Sequence, residues 1–172
     1  MISIKDDEKG GTAMFTYITC LGLSTTILCA IWSNVAPLIG LGAMSWAGFS
    51  GCTSYFACPD KGVKGVISCI CCLMSGVAYA MITLYLGKVL TFAGAGVFVA
   101  LITVHLMCIQ SKIPIFSYIP GTFFGSFSTF AAGGNPLIIP LLLFGIFLGL
   151  GCDKFGGWIF KMIGKKEEET AS

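Results

Sequence analysis

Six apolar runs, each close to the length that crosses a lipid bilayer, account for most of this 172-residue chain. A membrane-spanning helix needs roughly 20 predominantly apolar residues. Hydrophobic residues make up 56% of the chain and charged residues 10%, and a soluble protein would leave much of that apolar surface exposed to water. The pattern therefore predicts an all-α membrane protein with six transmembrane helices. The predicted spans are residues 12–33, 35–58, 65–86, 89–110, 114–132 and 137–152.

Proline, glycine and charged residues mark the boundaries between these runs. Asn34 and Pro37 interrupt the first run, because proline removes a backbone donor and disfavours helix in the residue before it. The chain then divides into a polar cytoplasmic tail (1–11), a transmembrane domain (12–152) and a polar C-terminal part (153–172). That last part is predicted to hold an amphipathic helix lying at the membrane interface, followed by a solvated cytoplasmic tail.

The lysines predict the orientation of the chain in the membrane. Six spans place nine of the ten lysines on the side of the termini and leave Lys88 alone on the other side. The nine are Lys5, Lys9, Lys61, Lys64, Lys112, Lys154, Lys161, Lys165 and Lys166. Loops rich in lysine stay in the cytoplasm, so both termini are expected to be cytoplasmic.

One short pattern, Phe-x-Gly-x-x-Ser-x-Phe-Ala, occurs twice in the chain. The first copy is residues 49–57 and the second is residues 123–131. The repeat predicts two similar halves of three spans each, at about 12–86 and 89–152. Because three is an odd number, the second half is inverted relative to the first, as in many membrane transport proteins.

Both copies carry a stripe of small residues and a stripe of aromatic residues. The small stripes are Ala47, Gly51, Ser54, Cys58 and Gly121, Gly125, Ser128, Ala132, and the aromatic stripes are Phe49 with Phe56 and Phe123 with Phe130. Small residues let helices pack closely in lipid, so the small stripes have a purely structural interpretation. The functional interpretation is that hydroxyls line a narrow passage and the phenylalanines form hydrophobic constrictions that exclude ions.

The predicted solute pathway combines these stripes with two further residues, Trp46 and His105. Its members are Trp46, Phe49, Gly51, Ser54, Phe56, His105, Phe123, Gly125, Ser128 and Phe130. His105 is the one titratable candidate within a predicted span, and it equally fits a histidine that bonds a neighbouring helix. Trp32 and Trp158 fit anchors at the two membrane interfaces.

No pattern in the chain indicates an enzyme, a cofactor, a metal or nucleic acid. The predicted spans contain no Asp, Glu, Lys or Arg, which argues against a proton pump. The nine cysteines lack the spacing of a zinc site and fit small buried hydrophobic residues in a reducing compartment.

Three segments carry a resemblance to a known family: residues 44–59, 106–112 and 117–131. In these segments the chain resembles the family of small bacterial inner-membrane proteins of unknown function typified by YcdZ. The resemblance implies a multi-pass protein of the bacterial inner (cytoplasmic) membrane. It implies no activity.

Three functions remain open at this point. The first is a passive channel or facilitator for a small uncharged or weakly acidic solute, such as urea or a short-chain carboxylic acid, working as a homo-oligomer in the lipid bilayer. The second is a non-transporting membrane scaffold or regulatory subunit of a partner complex. The third is an ion-coupled secondary transporter whose driving ion binds backbone carbonyls at broken helices.

Overall fold

The computed structural model describes the backbone of residues 17–90 and 93–170 and side chains up to residue 163. Within these residues all the regular structure is helical. The helices are α1 (Tyr17–Leu38), α2 (Ser45–Ala57), α3 (Gly62–Val89), α4 (Ala95–Ile109), α5 (Ile119–Ala131) and α6 (Ile138–Thr170). The predicted tail at 1–11, with Lys5 and Lys9, lies outside the described residues, as do the side chains of Lys165 and Lys166.

Four of the six helices are long and apolar enough to cross a membrane: α1, α3, α4 together with the 3₁₀ turn that follows it, and α6. The prediction of an all-α membrane protein is therefore confirmed. The two repeat-bearing helices, α2 and α5, have 13 residues each and are about 20 Å long. That is shorter than the roughly 30 Å of a hydrocarbon core, so neither forms the complete helical span that was predicted.

A 3₁₀ turn precedes each short helix, Gly42–Met44 before α2 and Pro114–Phe116 before α5. The two helices also have matching ends. The offset in sequence from Ser45 to Ile119, where the helices begin, equals the offset from Ala57 to Ala131, where they end. It is also the offset between the two copies of the sequence repeat, so the repeat and the two short helices are in the same register.

Helix α1 runs through the predicted break at Asn34 and Pro37. The side-chain amide of Asn34 donates to the carbonyl of Ala30 at 2.8 Å, so this polar group is satisfied by its own helix. Pro37 lies in the last turn, where the helix is ending in any case. The chain then turns at Gly40, whose φ of 78° lies in the left-handed region that glycine tolerates.

Helix α6 likewise continues past residue 152, where a separate interfacial helix was predicted. Asp153 does not need water there, because the phenols of Tyr17 and Tyr55 donate to its two carboxylate oxygens at 2.8 and 3.1 Å. Gly156 lies close against the backbone of Leu21, which holds this part of α6 on α1.

The same contacts fix the relative directions of the helices. Tyr17 begins α1 and Tyr55 is in the last turn of α2, so both meet Asp153 at one end of the bundle, here named the Asp153 end. The backbone N–H of Gly62, which begins α3, also donates to the Tyr55 hydroxyl. Helices α2 and α6 therefore point toward this end, whereas α1 and α3 start from it.

The core forms where each short helix packs against a long helix of the other half. Helix α2 lies along α6, and α5 lies along α3. The largest fully buried side chains of this core are Tyr55, Leu73, Ile138, Leu142 and Ile146. The two sequence halves are thus interleaved, so neither half buries its own short helix alone.

Candidate functional site

The contact between α2 and α6 depends on two glycines. A Cβ added at Gly51 would overlap the carbonyl oxygen of Leu142, and one added at Gly145 would overlap the carbonyl oxygen of Gly48. The backbones of the two helices are therefore in direct contact, which small residues permit in lipid.

The contact between α5 and α3 repeats this arrangement. A Cβ added at Gly125 would overlap the carbonyl oxygen of Leu73, and one added at Gly76 would overlap the carbonyl oxygen of Thr122. Gly125 and Thr122 occupy the positions in the second copy of the repeat region that Gly51 and Gly48 occupy in the first.

The long helices show the same equivalence, because Leu142 follows Leu73 by the same number of residues as Gly145 follows Gly76. This number is smaller than the number of residues between equivalent positions of α2 and α5. The reason is that the second half has fewer residues between its short helix and its long helix. The small stripes at Gly51 and Gly125 are therefore helix-packing faces, and they are the same face in both halves.

The two short helices meet each other through serine hydroxyls. The hydroxyls of Ser50 on α2 and Ser128 on α5 share a hydrogen bond of 2.7 Å. This contact is here named the α2–α5 seam. Both helices also carry hydroxyl side chains that are buried inside the bundle. They are Ser54, Thr122, Ser126, Ser128 and Thr129.

A second polar contact joins α5 to α3. The side-chain amide of Gln110 donates to the hydroxyls of Ser75 at 3.0 Å and Thr122 at 2.9 Å. Gln110 is the one glutamine of the chain and stands at the end of an apolar run, which was a usable signal that sequence reasoning passed over.

Tyr118 was also missed as a candidate, and it holds the end of α2. Its buried hydroxyl donates to the carbonyl oxygen of Ser54 at 2.8 Å. The Ser54 side chain itself is fully buried, and its hydroxyl has no hydrogen-bond partner among the described residues. Lys61 caps the same helix, since its ammonium donates to the carbonyl oxygens of Phe56 and Cys58.

The aromatic stripe of α5 is more exposed than that of α2, which packs against the core. Phe123 and Phe130 on α5 are 41% and 43% exposed, while Phe49 and Phe56 on α2 are half-buried at the edge of the core. Trp46, one turn before Phe49, is half-buried on the same face. These five residues of α2 and α5, none of them fully buried, are here named the outward aromatic face.

His105 lies apart from the other predicted pathway residues. On α4, Thr103 bonds Thr83 of α3 at 3.0 Å, and His105 is on the opposite, exposed side of the helix. It lines a surface cavity of about 470 Å³ with apolar residues of α4, among them Val97 and Leu101.

The prediction that Trp32 is an anchor at the membrane interface was wrong. It is only 6% exposed, its indole N–H donates to the Ser45 carbonyl at 2.9 Å, and its ring packs on Phe144. Trp158 is 56% exposed near the Asp153 end, and its role as an interfacial anchor stays a prediction.

The cavity beside His105 and the groove between α1 and α6 are lined mainly by apolar residues. No metal site is found in the described part of the chain. A groove of about 430 Å³ runs between α1 and α6, lined by residues such as Leu28, Val35 and Phe144. Among the described side chains, those of residues 17–90 and 93–163, no group of three histidine, cysteine or acidic residues is placed to hold a metal ion.

Comparison with known proteins gives one family and two close relatives. Residues 22–157 match the family described as "Protein of unknown function (DUF1097)". The inner membrane protein YcdZ of Escherichia coli (strain K12) is 42% identical over 142 residues, covering 81% of this chain and 85% of the relative. The YcdZ protein of Salmonella typhimurium is 36% identical over 159 residues, covering 88% and 93%. No solved structure matches the chain.

These relatives and the apolar helices identify a multi-pass protein of the bacterial inner membrane.

Proposed function

The chain belongs to the DUF1097 family of inner-membrane proteins, and from this premise we propose that it is a passive channel or facilitator. Its solute is small and uncharged or weakly acidic, such as urea or a short-chain carboxylic acid. The observation that carries this proposal is the meeting of two short, equivalent helices at a hydroxyl-lined seam, where Ser50 and Ser128 bond at 2.7 Å. Paired broken helices at the contact of two repeats commonly mark a solute site.

We infer that the protein is built from two inverted halves. The support is geometric: Gly51 meets Leu142 as Gly125 meets Leu73, with one constant offset between the short helices and another between the long helices. Chance similarity of apolar sequences would repeat residue types but not the contacts that they make.

The inferred orientation places the Asp153 end in the cytoplasm. Lys61, Lys64, Lys112, Lys154 and Lys161 lie on segments that converge at this end, while Lys88 is in the last turn of α3, at the other end. Positive residues are retained on the cytoplasmic side, so both termini are proposed to be cytoplasmic.

The path is proposed to run over the outward aromatic face, between neighbouring copies of the chain in a homo-oligomer. Within one protomer, direct backbone contact at Gly51 and Gly125 leaves no room beside the small stripes. On the outward side, Thr53 is exposed between Phe49 and Phe56, so a hydroxyl and aromatic rings face the same space. Such a lining suits an uncharged solute, since rings dewet a narrow passage and hydroxyls replace lost water contacts.

A flux assay in liposomes tests the proposal. Purified protein is reconstituted, and release of urea, acetate and a panel of similar solutes is followed without any ion gradient. A facilitator gives rapid release that requires no ion gradient. Phe123→Ala or Phe49→Ala changes the rate of release several-fold, because each substitution removes a ring from the pathway. Phe147→Ala is the matched control, since Phe147 is 55% exposed on α6 and is no part of the outward aromatic face.

Other results would favour the other functions. Equal effects of the Phe123 and Phe147 variants on the release rate would show that the solute pathway does not run over the outward aromatic face. Absence of flux over the whole panel, with stable co-purification of another protein, would indicate a scaffold. Flux that needs a sodium or proton gradient would indicate a coupled transporter.

A further inference from the structure

A cavity of about 310 Å³ opens at the Asp153 end between the start of α1 and the later turns of α6. Its lining residues are Tyr17, Asp153, Lys154, Gly157, Trp158 and Lys161. The other surface cavities described above are lined mainly by apolar side chains, whereas this one is lined by two lysines, an aspartate, a tyrosine and a tryptophan.

The charges in this cavity favour an anion. Lys154 and Lys161 are two helical turns apart, so both lie on one face of α6, and both are exposed. Asp153 contributes the one negative charge, but each of its oxygens already accepts a hydrogen bond, from Tyr17 and Tyr55. Two lysines thus line the cavity against one carboxylate, so the lining carries a net positive charge.

The residues around this cavity are of the types found at the level of lipid headgroups. Trp158 lies between the two lysines and stacks on Phe155 with ring centroids 5.8 Å apart. Ile18, one residue after Tyr17, is 76% exposed, so an apolar surface adjoins the cavity. Tryptophan and lysine next to exposed apolar residues are typical of the membrane–water interface.

We propose that this cavity binds the phosphate of an anionic phospholipid, such as phosphatidylglycerol, from the leaflet at the Asp153 end. Lys154 and Lys161 pair with the phosphate, and the Trp158 ring packs against the glycerol and first acyl carbons. Clusters of basic residues next to a transmembrane helix attract anionic lipids by about 1 kcal/mol per residue. The inference concerns lipid binding alone and does not depend on the proposed transport.

Native mass spectrometry of the full-length protein in detergent tests it, with phosphatidylglycerol or phosphatidylcholine added to delipidated samples. The expected result is preferential retention of phosphatidylglycerol by the wild type. Lys154→Gln and Lys161→Gln each weaken it about fivefold, which is the factor that corresponds to about 1 kcal/mol. The matched control is the double variant Lys88→Gln/Lys112→Gln, which removes the same charge from residues that do not line the cavity.

Three outcomes would overturn the proposal. One is equal retention by the Lys154/Lys161 double variant and the wild type. Another is an equal loss in the Lys88/Lys112 control, which would indicate general attraction by net charge. The third is full displacement of the lipid by millimolar inorganic phosphate that itself binds the delipidated protein, which would indicate a soluble phosphate ligand.

A second measurement does not need the lysine variants to fold. Phosphatidylglycerol with brominated acyl chains should quench the fluorescence of the wild type more than that of Trp158→Phe, because Trp158 is the indole of this cavity. Equal fractional quenching of the two proteins would contradict the site.

Discussion

At Gly125 and Gly51, one added carbon atom is enough to disturb the packing of the helices. At each position an added methyl group would overlap a backbone carbonyl of the facing helix, and a backbone cannot move aside as a flexible side chain can. Overpacking of this kind typically costs about 1–3 kcal/mol. We therefore expect Gly125→Ala to lower the free energy of unfolding by about 2 kcal/mol, measured by denaturant titration in detergent.

Gly22→Ala supplies the control for that substitution. Gly22 also lies within a helix, but an added Cβ there meets no atom within 4 Å. Alanine favours helix over glycine, so this variant should be neutral or more stable by up to about 1 kcal/mol. Similar behaviour of the two variants would show that α5 and α3 are not in backbone contact at Gly125.

Tyr118 contributes one buried hydrogen bond, and its removal can be isolated. Tyr118→Phe deletes the donor to the Ser54 carbonyl, which still accepts from the backbone N–H of Cys58. The expected loss of stability is about 1 kcal/mol in the same unfolding titration. Tyr85→Phe is the control, because Tyr85 is 68% exposed and bonds to no described side chain or carbonyl. A Tyr118 variant as stable as the Tyr85 variant would refute this role.

At the scale of elements, the short helices α2 and α5 explain what the sequence could and could not predict. The repeat was visible because the packing contacts require the same small residues at Gly51 and Gly125. The length of α2 and α5 could not be predicted, because the residues before each helix are apolar too. Composition does not separate a helix from an apolar lead-in such as residues 39–44.

Tertiary contacts account for the elements that the sequence misassigned. Asp153 looked like a helix boundary because a lone carboxylate avoids lipid, yet Tyr17 and Tyr55 satisfy it across helices far away in sequence. Trp32 looked like an interfacial anchor, but the carbonyl of Ser45 accepts its N–H inside the bundle. Such partners cannot be read from one segment alone.

The contact of α2 with α5 gives a prediction for the pair of elements. Ser50→Ala and Ser128→Ala each remove one side of a shared hydrogen bond, so their effects on stability should not add. A double-mutant cycle is expected to give a coupling energy of about 0.6 kcal/mol, the average for hydrogen bonds between membrane helices. Thr25 and Thr26, which bond back to their own helix, should show no coupling with Ser128. Strict additivity for Ser50 and Ser128 would mean that the two short helices are not in contact.

At the scale of the whole molecule, the interleaving of the halves is the central feature. Helix α2 packs on α6 and α5 on α3, so each half completes the core of the other. An inverted arrangement follows if the chain changes sides at every helix, including the two short ones. The proposed solute path depends on that alternation, because it treats the phenylalanines of α2 and of α5 as equivalent positions of two inverted halves.

The alternation can be measured directly with paired reporters, one fluorescent only in the cytoplasm and one enzymatically active only outside it. The reporters are fused after Gly40, Lys61, Lys88, Lys112, Asn135 and Ser172, which lie at or beyond the C-terminal ends of the six helices in order. The account predicts cytoplasmic signals after Lys61, Lys112 and Ser172 and external signals after Gly40, Lys88 and Asn135. Gly40 and Lys61 on the same side, or Lys112 and Asn135 on the same side, would show that a short helix does not cross and would contradict the inverted architecture.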